Sequence, residues 1–215
     1  MENLSIDEFK IALNDVRKAH RLIYEYQSRM LDLITLIYNK LGFQYIEGRK
    51  YFSKPISFKK NNNDLKVFRG MWGWDFIYSY CFNYYFGQIA TKEKQYVSLS
   101  INQYSDTGFY DIEESDKEET NTFLETENSI SKLLFILECR SREAKECMIN
   151  LDEITEDKKY ASKNFEKETI KSIKGVTQII YSFPLERFIN EKSTMEALKE
   201  FNNYCKAEID VDFEI

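Results

Sequence analysis

Thirty-seven residues, 5–41, run without a single glycine or proline. Within them Phe9, Leu13, Val16, Ile23, Met30, Ile34, Ile37 and Leu41 recur at alternating steps of four and three. That spacing is the heptad seam of a packed α-helix. Two seam positions are polar, His20 and Gln27. Buried polar seam residues set helix register, and this is the role read here for both. Ser5 with Glu8 forms a capping box at the start, and Gly42 stands where a helix C′ residue belongs. One continuous helix of this length would reach about 55 Å at ~1.5 Å per residue. It therefore has to bend round its own domain, break near residue 20, or meet a partner. The expected organisation is a seam helix over 1–42, packed on the same domain or on a partner, and an α+β domain over 43–215.

The rest of the chain alternates between charged and strand-like stretches. Two short strands are expected near 50–58 and 65–69, joined by the polar turn KKNNND. Further strands are expected at 94–103, 132–140, 145–151 and 176–183. The first of these alternates Val97, Leu99 and Ile101, and KLLFILECR is almost continuously apolar and so central. A lysine-rich helix is expected within 155–174. A last helix, capped by Ser193 or Thr194 with Glu196 nearby, is expected to run to about 206, and the tail EIDVDFEI could add an edge strand. The fold class is thus α+β, with an antiparallel or mixed sheet of about five to six strands and C-terminal helices.

The run MWGWDFIYSYCFNYYFG poses the hardest choice. Aromatic side chains occupy every even position from Trp72 to Phe86, which favours a strand. A strand of that length far exceeds the common ~5–6 residues. Asp75, Ser79 and Asn83 lie four apart, one polar stripe on a helix, and Gly87 offers a stop. The expectation is a buried aromatic helix over 73–86.

Function is less legible than fold. The chain has 36 acidic and 30 basic residues, a net charge of −6. Residues 111–127 alone carry about −7 by count, so a mobile acidic loop is expected near 111–128. The segment 43–70 is the reverse: Arg49, Lys50, Lys54 and Arg69 interleave with rings. Such a segment can neutralise phosphates while stacking on bases, so nucleic acid is one possible partner. Trp72 and Trp74 adjoin it and could line the mouth of a small-ligand or nucleotide pocket. Asp106 or Asp111, followed by a strand bearing Glu138 and Arg140, loosely resembles the carboxylates and Glu-x-Lys strand of Mg²⁺-dependent nucleases of the restriction-endonuclease-like fold. Arginine stands where the lysine belongs, and it stays protonated, so it cannot serve as a base.

No phosphate-binding glycine loop, nucleophile elbow or CxxC pair is present. Cys81, Cys139, Cys147 and Cys205 are scattered and the chain has one histidine, so no metal site is expected; magnesium enters only with the nuclease alternative. No signal peptide or span of ~20 apolar residues is read, and reduced thiols suit a cytoplasmic protein without membrane contact. Abundant Lys, Asn, Ile and Tyr fit an AT-rich coding sequence of bacterial or phage type. The leading expectation is a non-enzymatic binding or regulatory protein that engages a protein partner, or a second copy, through the N-terminal helix.

Overall fold

A computed structural model describes residues 5–44, 46–50, 81–91, 95–110, 123–141, 151–171 and 175–215. The chain divides into two compact units, residues 1–37 and 38–215. The first is helical. Helix α1 spans Ile6–Lys40. Its capping box forms as the sequence implies: the Ser5 amide donates to Glu8 Oε2 at 2.7 Å, and the Glu8 amide donates to Ser5 Oγ at 3.3 Å. The helix ends in a Schellman motif. The Phe43 amide returns to the Tyr38 carbonyl and the Gly42 amide to that of Asn39, with Gly42 at φ +74°.

The second unit is an α+β arrangement built on a six-stranded antiparallel sheet. Its strands are β1 (Glu47–Lys50), β2 (Cys81–Ala90), β3 (Gln95–Tyr104), β4 (Lys132–Ser141), β5 (Lys167–Lys171) and β6 (Val176–Pro184), in the spatial order β1-β2-β3-β4-β6-β5. Two short helices, α2 (Leu151–Glu156) and α3 (Lys158–Ala161), precede β5, and α4 (Glu191–Ile209) follows β6.

Alternation along the strands sorts the side chains onto two faces. One face is apolar: Leu99, Ile101, Phe135, Leu137, Ile179 and Phe183 are buried. It packs against α4, whose Ala197, Leu198, Phe201 and Cys205 share a helical stripe and are fully buried. Phe201 lies 5.0 Å from the Phe135 ring and 6.1 Å from that of Tyr181. The other face is divided. At the Tyr104 end, Leu134, Ile136 and Ile180 join Ile154, Tyr160 and Ala161 of α2 and α3 in a second apolar cluster. Lys132 is buried beside it, its ammonium donating to the Tyr160 and Ser162 carbonyls at 2.6 and 2.5 Å. Asn83, Asn102 and Thr155 form a buried polar chain. Toward the opposite end this face becomes polar.

Several sequence expectations need correction. The last six residues of the expected aromatic helix, 81–86, are strand; 73–80 lie outside the described residues. Phe82, Tyr84 and Phe86 turn to one face and Cys81, Asn83 and Tyr85 to the other, a use of alternation that a helix would waste. Asn83 belongs to no helical stripe: its amide donates to Asn102 on β3 at 2.7 Å. Gly87, at φ +73°, sits where the β2–β3 register shifts between Tyr85 and Gln88, and so permits a bulge and not a helix stop. Leu151 opens a helix where a strand was expected to end; 145–150 lie outside the described residues. The expected helix over 155–174 stops at Ala161, and KETIK pairs with β6 as an edge strand. The cap of α4 is Asn190, with Ser193 as its reciprocal partner. The tail forms no strand; Asp212 accepts from Asn202 and Lys206 instead. Of the two strands expected near 50–58 and 65–69 only residue 50 is described, as the last of β1; 51–58 and 65–69 lie outside the described residues.

Candidate functional site

Two places stand out, one in each unit. The first is the seam of α1. Every residue from Ser5 to Glu25 is exposed, and burial on the helix begins only at Met30, Ile34 and Ile37. The seam therefore presents Phe9 at 55%, Val16 at 51% and, one heptad step earlier, Ile6 at 75% exposure. Leu13 and Ile23 continue it, and His20 is exposed in line with them. Gln27 is half-buried and has a partner. Ile6 belongs to the seam and was missed because the first heptad was counted from Phe9.

The second place is the polar end of the sheet. The cross-strand row Ser98–Glu138–Gln178 lies on one face of β3, β4 and β6, and Ser100 and Tyr85 stand in the next row. Glu138 is only 4% exposed, and burial pushes its carboxyl above the ordinary range, against the opposing pull of the Gln178 hydrogen bond and the Arg140 charge. Arg140, two residues on, donates to Gln88 Oε1 at 2.6 Å and lies 5.6 Å from the Tyr96 ring centre.

Asp106 does not join Glu138. Its Oδ1 accepts from the Gly108 amide at 2.7 Å and caps a short 3₁₀ turn beyond Tyr104. Tyr104 pairs with Lys132, whereas Glu138 pairs with Ser98, six residues further along β4. At ~3.3 Å per strand residue that places them about 20 Å apart along the strand, far beyond what one Mg²⁺ with ~2 Å bonds can link. Asp111, Lys54, Arg69, Trp72 and Trp74 lie outside the described residues, as does most of the acidic loop. Arg49 is exposed on the edge strand β1, and Lys50 ends that strand. Among the described residues, no group of three or more His, Cys, Asp or Glu could hold a metal ion, and no helix is long and apolar enough to cross a membrane.

A cleft of about 490 Å³ beside β5 and β6 is lined by Lys163, Lys167, Arg187 and Glu200 among others. Its charges are engaged internally: Glu200 accepts from Tyr181 at 2.6 Å and Arg187 at 2.8 Å, and Lys167 lies 4.8 Å from the Tyr204 ring centre.

A family model described as PM0109 matches residues 7–210. The chain belongs to the PM0109 family. The PM0109 match takes in both the α1 seam and the polar end of the sheet. No curated protein and no solved structure matches the chain.

Proposed function

We propose that this protein acts through protein–protein contacts and that α1 pairs with the α1 of a second copy as a parallel coiled coil. The observation that carries the reading is the uncovered seam from Ile6 to Ile23 on a stretch whose every residue is exposed. A helix segment without tertiary packing stands on its cap and propensities alone, which is marginal in water. Pairing supplies the missing burial.

Charge favours a second copy in parallel register. With Phe9 at a d position, Ile6, Leu13, His20 and Gln27 take a positions. Lys10, Arg17 and Tyr24 then fall at e, and Ala12 and Ala19 at g. A parallel pair sets Ala12 against Arg17 and Ala19 against Tyr24 of the second copy, and His20 meets itself. The antiparallel overlay of the same stretch sets e against e on one flank, where Lys10 meets Arg17 twice, which is repulsive.

Sedimentation velocity on the full chain tests this. Wild type should approach twice the 25.7 kDa chain mass as concentration rises, and Val16→Glu with Ile23→Glu should hold it at one. A wild-type mass that stays monomeric to ~100 μM, well above the micromolar range such interfaces reach, would rule out the second copy as occupant.

A further inference from the structure

Histidine is the side chain whose ordinary charge change falls between about pH 5 and 8. This chain has a single histidine, and it stands on the bare seam of α1. In the parallel pair His20 takes an a position, with Val16 and Ile23 as the d layers on either side. Each imidazole then enters a hole made by Val16, Ala19, His20 and Ile23 of the second copy. Neutral imidazoles suit such a layer: the ring packs, and one N–H can donate to the facing ring nitrogen. Two imidazolium ions do not suit it. Each charge is taken from water, and the two repel across one layer.

No carboxylate is placed to compensate them. Over Ile6–Gln27 the a, d, e and g positions contain no Asp or Glu; their other titratable members are Lys10, Arg17, Tyr24 and Tyr26. The nearest acids in sequence, Asp15 and Glu25, fall at c and f on the outer side of the helix, and Asp15 is bound to Lys18 at 3.0 Å. Arg17, one turn before His20, and Arg21 beside it add positive charge on both copies. The stretch from Ser5 to Glu25 is exposed throughout, so only the second copy packs against it.

We infer, resting on the pairing proposed above, that His20 makes that pairing pH-sensitive: neutral imidazoles admit the parallel pair, and their protonation drives the two helices apart. The pair favours the neutral form, so dissociation takes up one proton per chain. Pairing is therefore complete above the imidazole range and is lost as pH falls through it.

Sedimentation equilibrium of the full chain at about pH 8 and about pH 6 tests this; both values lie above the pI of about 5.1, so the chain stays negatively charged. An ordinary imidazole titrates near ~6.5, so one site per chain should weaken wild-type pairing roughly 15-fold between the two conditions. His20→Val keeps every other titratable group of the chain, and its midpoint should agree at the two pH values within about two-fold. A wild-type change under about two-fold, or an equal change in His20→Val, overturns the switch while leaving the pairing standing. A wild type that stays monomeric to ~100 μM at the higher pH removes the pairing itself, and the switch with it.

Discussion

The seam assignment makes a quantitative demand on His20. In a parallel pair His20 occupies an a layer against its own copy, flanked by Val16 and Ile23. Substitution to valine turns that layer apolar, and β-branched residues at a favour two strands. Fully burying a valine is worth about 1.5 kcal/mol, so two of them give about 3 kcal/mol. Subtracting roughly 1 kcal/mol for the packing a histidine ring already provides leaves about 2 kcal/mol, or an affinity gain of about 30-fold. Exposures of 38–75% at Ile6, Phe9, Leu13, Val16 and Ile23 leave about half of each side chain's surface for pairing to bury, so the pairing is expected near the micromolar range. His20→Val should therefore move the monomer–dimer midpoint into the submicromolar range in sedimentation equilibrium. Lys18→Val is the control. Lys18 lies on the far side of the helix in an exposed pair with Asp15, and its replacement should leave the midpoint within about two-fold. Equal effects of the two substitutions, or none from His20→Val, would refute the heptad reasoning itself.

Other outcomes follow from the sheet unit. Phe201→Ala removes the ring between Phe135, Tyr181 and Phe213 and should cost about 3–5 kcal/mol in urea unfolding; a loss under ~1 kcal/mol would mean that α4 is not held as described. The Tyr181 hydroxyl and Arg187 hold Glu200 below the ordinary carboxylate range, and Asn202 and Lys206 do the same for Asp212. A carboxylate lowered in the folded state stabilises fully above its unfolded value, about pH 4, and loses that contribution as pH falls through its folded value. Wild type should thus lose more stability than Glu200→Gln between pH 5 and pH 3, read as urea midpoints; parallel loss in both would contradict the shift. Burial raises the Cys81 and Cys205 thiols, and that of Cys139 to about 11. Native protein at pH 8 should then expose at most one of its four thiols to a disulfide reagent, and all four in guanidinium; rapid reaction of two or more would show the core to be open.

Local signals in the chain were sufficient for α1 and for three strands. Ser5, Glu8 and Gly42 bound the helix through hydrogen bonds to residues three to five positions away, so neighbouring sequence contains all the needed information. The alternation of Val97, Leu99 and Ile101 and the apolar run of β4 and β6 likewise read directly as buried strands. The aromatic run did not. Phe82, Tyr84 and Phe86 fit either period, and the decision came from β3, whose Asn102 and Gln103 receive Asn83 and Tyr84. KETIK is similar: charged and short, it is a strand because β6 offers it an edge.

The candidate sites divide along the same line. Glu138 and Arg140 were visible as residues, yet their companions were not Asp106 but Ser98, Ser100 and Gln178, contributed by register across three strands. Nothing in sequence spacing reports which residues from separate strands share a row. The sequence alone thus settled where the long helix starts and stops and that the chain mixes helices with a sheet. Tertiary structure alone decided that the seam is bare from Ile6 to Ile23, that 81–86 is strand, and that Glu138 is buried in a row with Ser98 and Gln178. Helix periodicity and capping are local and written in neighbours, whereas exposure, strand pairing and desolvation depend on what distant parts of the chain bring alongside.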